Sequence, residues 1–125
     1  MSQKAFSKRV EKKTYLKSPL LYVHIGRVAD QVNIGGKGKI KITTSIVPTL
    51  IITMEKQNPL ILTAILVHHG KATGGHYTAY LNCNGLWYAY NDMGYKSLSL
   101  IGDYNEMLKN EGDIILKNAT DYFYM

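Results

Sequence analysis

A histidine and an asparagine, His76 and Asn91, are the residues of this sequence best suited to acid–base chemistry. His76 follows two glycines, Gly74 and Gly75, and Asn91 precedes Asp92. An asparagine oxygen can accept the Nδ1 hydrogen of a histidine and fix the tautomer and orientation of the ring. The other ring nitrogen is then free to take a proton from a thiol, as in the Cys-His-Asn arrangement. The pair therefore indicates the base and the orienting group of a cysteine hydrolase.

Two strands joined by a tight turn would bring these side chains together. Residues 76–81 and 86–91 are rich in β-forming residues, and Asn84-Gly85 between them is a strong hairpin signal. We take the turn to be centred between Cys83 and Asn84. The opposed pairs that follow are Trp87 with Tyr80, Ala89 with Thr78, and Asn91 with His76. Directly opposed residues have Cβ atoms about 4.5–5.5 Å apart, so the pattern predicts the carboxamide beside the imidazole.

The residues around the pair allow more than one interpretation. Gly74 and Gly75 would let a substrate backbone approach closely, as a groove that admits a slim Gly-Gly tail requires. Asp92 points to the other face of a regular strand, but it could hydrogen-bond near the site if the strand ends or bulges there. A cross-strand polar pair on a surface hairpin is the structural alternative.

The single cysteine, Cys83, is not the partner of His76. It lies at the predicted hairpin tip, seven positions along the strand, which is roughly 20 Å or more at about 3.3 Å per residue. A base must lie within hydrogen-bond reach of its thiol. One cysteine also excludes an internal disulfide, which favours an intracellular compartment, cytosol or nucleus.

Length and charge limit the class of protein. The 125 residues predict one domain, residues 14–125, after a basic mobile arm over residues 1–13. No apolar run is long enough to span a membrane. The net charge of +6 is concentrated in the arm, which either binds an acidic partner such as nucleic acid or is simply solvated. We favour the solvated tail, because the arm lacks interleaved aromatic residues.

The remaining pattern predicts a β-dominated α+β fold. Strands are expected at residues 20–25, 39–43, 50–52, 60–68 and 122–124, with a glycine-rich turn at residues 35–38. One short helix is expected at residues 102–110, with Asp103 as its N-cap. We therefore expect an antiparallel sheet of about five to seven strands with a single helix.

The segment around His76 resembles the His box of ubiquitin-specific proteases. The resemblance rests on residues 67–70, Val-His-His-Gly, on residues 74–80, Gly-Gly-His-Tyr-Thr-Ala-Tyr, and on the aromatic strand that ends in Asn91-Asp92. It implies that His76 is the general base, Asn91 its orienting group and Asp92 the adjacent acid. The same resemblance implies substrate contacts at Gly74, Gly75 and Tyr77.

Weaker matches extend the resemblance over residues 15–125. Residues 18–28 are similar to the family's Pro-Leu strand that ends near His-Leu-Lys-Arg-Phe, although Gly26 and Val28 depart from it. Residues 119–125 are similar to its closing Ala-Tyr-Leu-Leu-Phe-Tyr segment. The helix that carries the nucleophilic cysteine in the family, and its zinc-binding cysteine pairs, have no counterpart here. The resemblance thus implies the C-terminal palm lobe of a papain-like cysteine protease, without the thumb.

Three functions are compatible with this incomplete site. The chain could be completed by a partner that supplies the cysteine, it could be a catalytically dead scaffold, or it could be a structural subunit that binds nucleic acid through its arm. The expected partners are ubiquitin or a ubiquitin-like protein and a protein docked where the thumb is missing, with no membrane contact.

Neither a metal nor a cofactor is expected. In a strand, His68 and His69 point to opposite faces, so with His76 they do not form a zinc site. Hairpin aromatics could stack on bases, but they more often pack across strands or onto a core; these are Tyr77, Tyr80, Trp87, Tyr88 and Tyr90.

Overall fold

The computed structural model describes residues 20–33, 36–91 and 97–125, with only the backbone described at residues 31–33, 36 and 37. The basic arm predicted at residues 1–13, and Asp92, lie outside the described residues. The predicted boundary between arm and lobe therefore stays a prediction.

The described chain contains nine strands and one helix. The strands are β1 Leu21–His24, β2 Val28–Asn33, β3 Gly36–Lys41, β4 Ile51–Ile52, β5 Leu60–His69, β6 His76–Cys83, β7 Leu86–Tyr90, β8 Leu98–Gly102 and β9 Ala119–Tyr124, and the helix α1 is Tyr104–Asn118. Seven strands form one sheet in the order β1-β9-β5-β6-β7-β8, with β4 on β5. Strands β2 and β3 pair only with each other. The predicted β-dominated α+β fold with an antiparallel sheet and one helix is confirmed.

Three elements differ from the sequence prediction. Strand β2 was not predicted, although it pairs with β3 over its whole length. The predicted turn at residues 35–38 is wrong over most of its length, because β3 already begins at Gly36 and pairs with Asn33 of β2. Strand β8 was not predicted. It is held by backbone pairing to β7, while Leu98 and Leu100 stay exposed, so its sequence lacks the burial pattern of a core strand.

The helix begins where the sequence predicts and ends eight residues later than predicted, at Asn118 instead of residue 110. The Asp103 carboxylate accepts from the Glu106 backbone at 2.8 Å, and the Glu106 carboxylate accepts from the Asp103 backbone at 2.9 Å. This reciprocal capping box starts the helix. Gly112, which disfavours a helix interior, lies on the buried side with Met107 and Ile115, so packing outweighs its poor helix propensity.

Helix α1 covers one face of the sheet, which we call the helix face. Trp87 is fully buried there, its ring centroid 6.0 Å from that of Tyr104, and the Tyr80 hydroxyl donates to Glu111 of the helix at 3.0 Å. Alternate residues point the other way. On this second face, the open face, six large apolar side chains of β6, β7 and β8 are 39–58% exposed: Tyr77, Leu81, Leu86, Tyr90, Leu98 and Leu100.

Replacing the N-cap should destabilise the protein measurably. Asp103→Ala removes one side of the capping box, and we expect the free energy of unfolding to fall by about 1 kcal/mol in urea titrations. Asn105→Ala, an exposed substitution in the same helical turn, serves as the matched control and should change it by less than about 0.5 kcal/mol. Equal effects of the two substitutions would contradict the role of the cap.

Candidate functional site

The turn of the β6–β7 hairpin is centred between Asn84 and Gly85, one position later than predicted. Both residues have positive φ, 53° and 89°, as a two-residue type I′ turn requires. Trp87 consequently lies opposite Asn82, and Ala89 lies opposite Tyr80. The predicted pairs of Trp87 with Tyr80 and of Ala89 with Thr78 are therefore wrong.

The corrected register changes the relation of Asn91 to His76 but not the face they share. The last paired residues of the hairpin are Ala79 and Tyr90. Continued by one residue, this register sets Asn91 opposite Thr78, with His76 on the diagonal rather than directly across. A shift of two residues keeps every side chain on its face. Diagonal neighbours in a regular ladder are about 7–8 Å apart, within reach of long side chains.

The ring packed against His76 is that of His69, at the end of β5. The two residues are direct partners across β5 and β6, and their rings stack with centroids 5.0 Å apart at 16°. The Nε2 atom of His69 is hydrogen-bonded to the Thr78 hydroxyl at 2.7 Å. The sequence analysis rejected His69 as a metal ligand and did not predict its contact with His76. His69 and His76 directly flank the loop of residues 70–75. A hairpin closed by this loop places them opposite each other, and that was the signal in the sequence for their pairing.

The electrostatics of the site favour an uncharged His69. Burial lowers the pKa of His69, and the neighbouring His76, Lys41 and His68 lower it further. Only Glu111 acts in the opposite direction. A neutral imidazole stacked on His76 restricts rotation of that ring without placing a full charge beside it.

The two glycines before His76 have different roles. Gly75 has a φ of +105°, and a Cβ atom there would lie 1.8 Å from the carbonyl oxygen of His69. Gly74 has open space around its Cα, and its carbonyl oxygen accepts from His68 Nε2 at 2.6 Å. The turn itself thus requires Gly75, whereas only Gly74 leaves clearance of the kind predicted for a substrate.

Tyr77 lies on the opposite face of β6 from His76. Its side chain is 56% exposed, and its ring centroid is 5.1 Å from that of the buried His68. Tyr77 borders a cavity of about 280 Å³ that we call the basic pocket. The polar side chains in its lining are His24, Arg27, Lys41, His68, Tyr77 and Thr120.

Cys83 is exposed at the far end of β6, paired with Leu86 beside the turn. Strand β6 begins at His76 and ends at Cys83, so the strand itself holds the thiol and the imidazole roughly 20 Å apart. Within the described ranges, no three His, Cys, Asp or Glu side chains converge as metal ligands would.

Comparison with protein families gives one match. The family model for ubiquitin carboxyl-terminal hydrolase matches residues 8–124, which is nearly the whole chain. No curated protein matches. Over the part of the chain that the structure describes, no helix has the length and apolar character to cross a bilayer.

Solved structures with the same fold come from a deubiquitinase module. A yeast SAGA DUB module containing a Sgf73 mutant is 20% identical with a TM-score of 0.61, and the match covers 85% of this chain and 23% of that one. The Ubp8/Sgf11/Sus1/Sgf73 module bound to ubiquitin aldehyde is 20% identical with a TM-score of 0.61, and the match covers 85% of this chain and 24% of that one. The module bound to monoubiquitin is 20% identical with a TM-score of 0.60, and the match covers 85% of this chain and 23% of that one. The chain thus spans about a quarter of the length of these neighbours.

Adjacent glycine substitutions should separate the two roles of the loop. Gly75→Ala must relieve the contact with the His69 carbonyl and adopt an unfavourable φ, so we expect a loss of at least about 2 kcal/mol in the free energy of unfolding. Gly74→Ala should cost less than about 0.5 kcal/mol. Comparable losses in denaturant titrations would contradict the assignment of the structural role to Gly75 alone.

The lowered pKa of His69 should make stability depend on pH. In the unfolded chain His69 takes up a proton near its ordinary value of 6.5, whereas the folded protein does so only at lower pH. The stability that neutral His69 contributes is therefore fully present above pH 6.5, and it is lost as the pH falls through the lower pKa of His69 in the folded protein. The slope of unfolding free energy against pH between 7 and 5 should be smaller in His69→Asn. Asn105→Ala should retain the wild-type slope, and an unchanged slope in His69→Asn would refute the expectation.

Proposed function

The chain belongs to the ubiquitin carboxyl-terminal hydrolase family, and on that premise we propose that it supplies the histidine arm of a cysteine deubiquitinase site. In this proposal His76 is the general base, Asn91 orients it, and Asp92 is the adjacent acidic residue. The carrying observation is that β6, which begins at His76, pairs with β7, which ends at Tyr90, so Asn91 continues the chain at the same end of the hairpin. The thiol nucleophile comes from outside these 125 residues, in a partner chain or another segment.

The proposed chemistry uses His76 as a proton carrier. One ring nitrogen takes the proton from the incoming thiol, and the thiolate attacks the carbonyl carbon at the end of the ubiquitin tail. The same imidazole then returns the proton to the leaving amine, which leaves a thioester for water to hydrolyse. Stacking on His69 holds the ring that Asn91 orients.

The proposed substrate is the tail of ubiquitin or a ubiquitin-like protein. Gly74 offers an unobstructed backbone before His76, and Tyr77 offers an exposed aromatic surface next to it. Gly75 contributes by shaping the turn. Solved neighbours of the same fold include complexes with monoubiquitin and with ubiquitin aldehyde. An intracellular location, cytosolic or nuclear, belongs to the same proposal because a free thiol nucleophile persists in a reducing compartment.

A non-catalytic scaffold is the second candidate, and the open face favours it. Six large apolar side chains lie exposed on that face, from Tyr77 on β6 to Leu98 and Leu100 on β8. Contiguous exposed apolar surface is typical of protein–protein contact. Such a pseudoenzyme would act as a complex subunit. Binding of nucleic acid through the arm remains a hypothesis that rests on residues outside the described ranges.

The deciding experiment is to purify the full chain from its native source and treat the assembly with ubiquitin carrying a C-terminal electrophile. We expect a covalent adduct on a cysteine outside these 125 residues, located by mass spectrometry. His76→Ala should slow adduct formation by about 10²–10⁴-fold, since that is the usual contribution of general base catalysis. Asn91→Ala should slow it less.

Asn105→Ala is the matched control for Asn91→Ala, because Asn105 is exposed on α1 and does not belong to the β6–β7 hairpin, and this variant should react at the wild-type rate. An adduct on Cys83, or one that forms equally fast without His76, would contradict the catalytic proposal. An assembly that binds ubiquitin but forms no adduct would leave the scaffold as the function.

A further inference from the structure

We propose that the basic pocket binds an oxyanion, such as a carboxylate or a phosphate group. The pocket lies where β1 and the start of β2 meet the end of β3, and His68 and Tyr77 close its other side. Tyr77 and His76 point to opposite faces of β6, so the pocket does not contain the His76–Asn91 pair, although Tyr77 borders both the pocket and the proposed substrate surface. The inference therefore does not depend on the proposed deubiquitinase chemistry.

Arg27 is the first of two cations in the pocket lining. It is only 3% exposed, and its guanidinium donates to four backbone carbonyl oxygens. Its acceptors are Ala119 at 2.6 Å, Ile42 at 3.0 Å, Thr44 at 2.9 Å and Leu116 at 3.0 Å. A guanidinium carries five N–H groups, so the acceptors in the described part of the chain leave one. Carbonyl oxygens satisfy the hydrogen bonds but do not neutralise the charge.

Lys41 is the second cation, and like Arg27 it donates to backbone carbonyl oxygens. Its ammonium donates to the carbonyl oxygens of His68 at 2.9 Å and Gly70 at 3.1 Å. These acceptors, the ones found among the described residues, leave one of its three N–H groups. Burial lowers the pKa of Lys41, and repulsion from Arg27 lowers it further. Two cations that repel each other in one partly buried cavity create a potential that attracts an anion.

No acidic side chain lines the pocket among the described residues. Asp121 is the carboxylate nearest in the hydrogen-bond network, because His24 and Thr120 of the lining both bind it. Its oxygens accept from His24 Nδ1 at 2.9 Å, from the Thr120 hydroxyl at 2.7 Å and from the Tyr22 hydroxyl. Asp121 is only 8% exposed and is engaged by these three donors, so it offsets part of the charge without occupying the cavity.

The remaining donors suit a small anion. Among the described residues Arg27 and Lys41 each keep one N–H group, and the Tyr77 side chain is largely exposed at the rim. A volume of about 280 Å³ accommodates a carboxylate or phosphate group together with the atoms that carry it. Charge-assisted hydrogen bonds to such oxygens are the strong ones, and Lys and Arg are the side chains that supply them.

The test is titration of the full chain with three probes in low-salt, chloride-free buffer. The probes are inorganic phosphate, N-acetyl-Gly-Gly with a free carboxylate, and the corresponding C-terminal amide. The imidazole NMR signals of His24 and His68 report binding. We expect saturable shifts with phosphate, with the carboxylate or with both, and none with the amide. The anionic probe that binds with the higher affinity identifies whether the natural ligand is a phosphate group or the carboxylate of a chain terminus.

Two lysines on one strand provide a matched pair of variants. Lys41→Gln should weaken binding about ten-fold or more, whereas Lys39→Gln removes the same net charge from a side chain that is paired with Asp30 outside the pocket and should leave binding unchanged. His24→Gln, at a half-exposed position, gives a second pocket variant if Lys41→Gln fails to fold. No saturable shift in the wild type, equal binding of the amide, or equal losses in both lysine variants would overturn the proposal.

Discussion

The arrangement of this lobe depends on the guanidinium of Arg27, which joins three parts of the chain that are distant in sequence. Its acceptors lie after β3, in the last turn of α1 and at the first residue of β9. The last carbonyl groups of a helix lack intrahelical donors, and a cation there also matches the negative end of the helix dipole. Arg27 therefore fixes the corner at which α1 passes directly into β9. Strand β9, whose first residue Arg27 binds, lies between β1 and β5 in the sheet.

The period-two geometry of β6 divides the site between two faces. His76 points to the helix face, where His69 packs against its ring, and Tyr77 points to the open face and the basic pocket. A chain that approached the end of β6 would thus meet the imidazole on one side and the aromatic ring on the other. The turn at Gly75 sets where β6 begins and hence which residue faces each side.

Signals that are local in sequence predicted the fold well, and contacts between distant segments were the part that they missed. The cap at Asp103 and the Asn84-Gly85 turn were found because each depends on adjacent residues. The hairpin register was wrong by two residues because Asn84, not Cys83, takes the first positive φ. The contact of His69 with His76 required the pairing of β5 with β6, and the role of Arg27 required the whole corner to be assembled. Residue type alone identified His76 and Asn91 as candidates, but the offset between them depends on the register of the hairpin.

The full burial of Trp87 has a spectroscopic consequence. It is the only tryptophan in the sequence, and it lies between the sheet and α1 beside Tyr104. Its indole nitrogen has no hydrogen-bond partner among the described residues. Intrinsic fluorescence excited at the indole therefore originates from a single dry position, and a red shift of the emission would report separation of the helix from the sheet. The protein carries its own optical reporter for the integrity of the lobe, with no label needed.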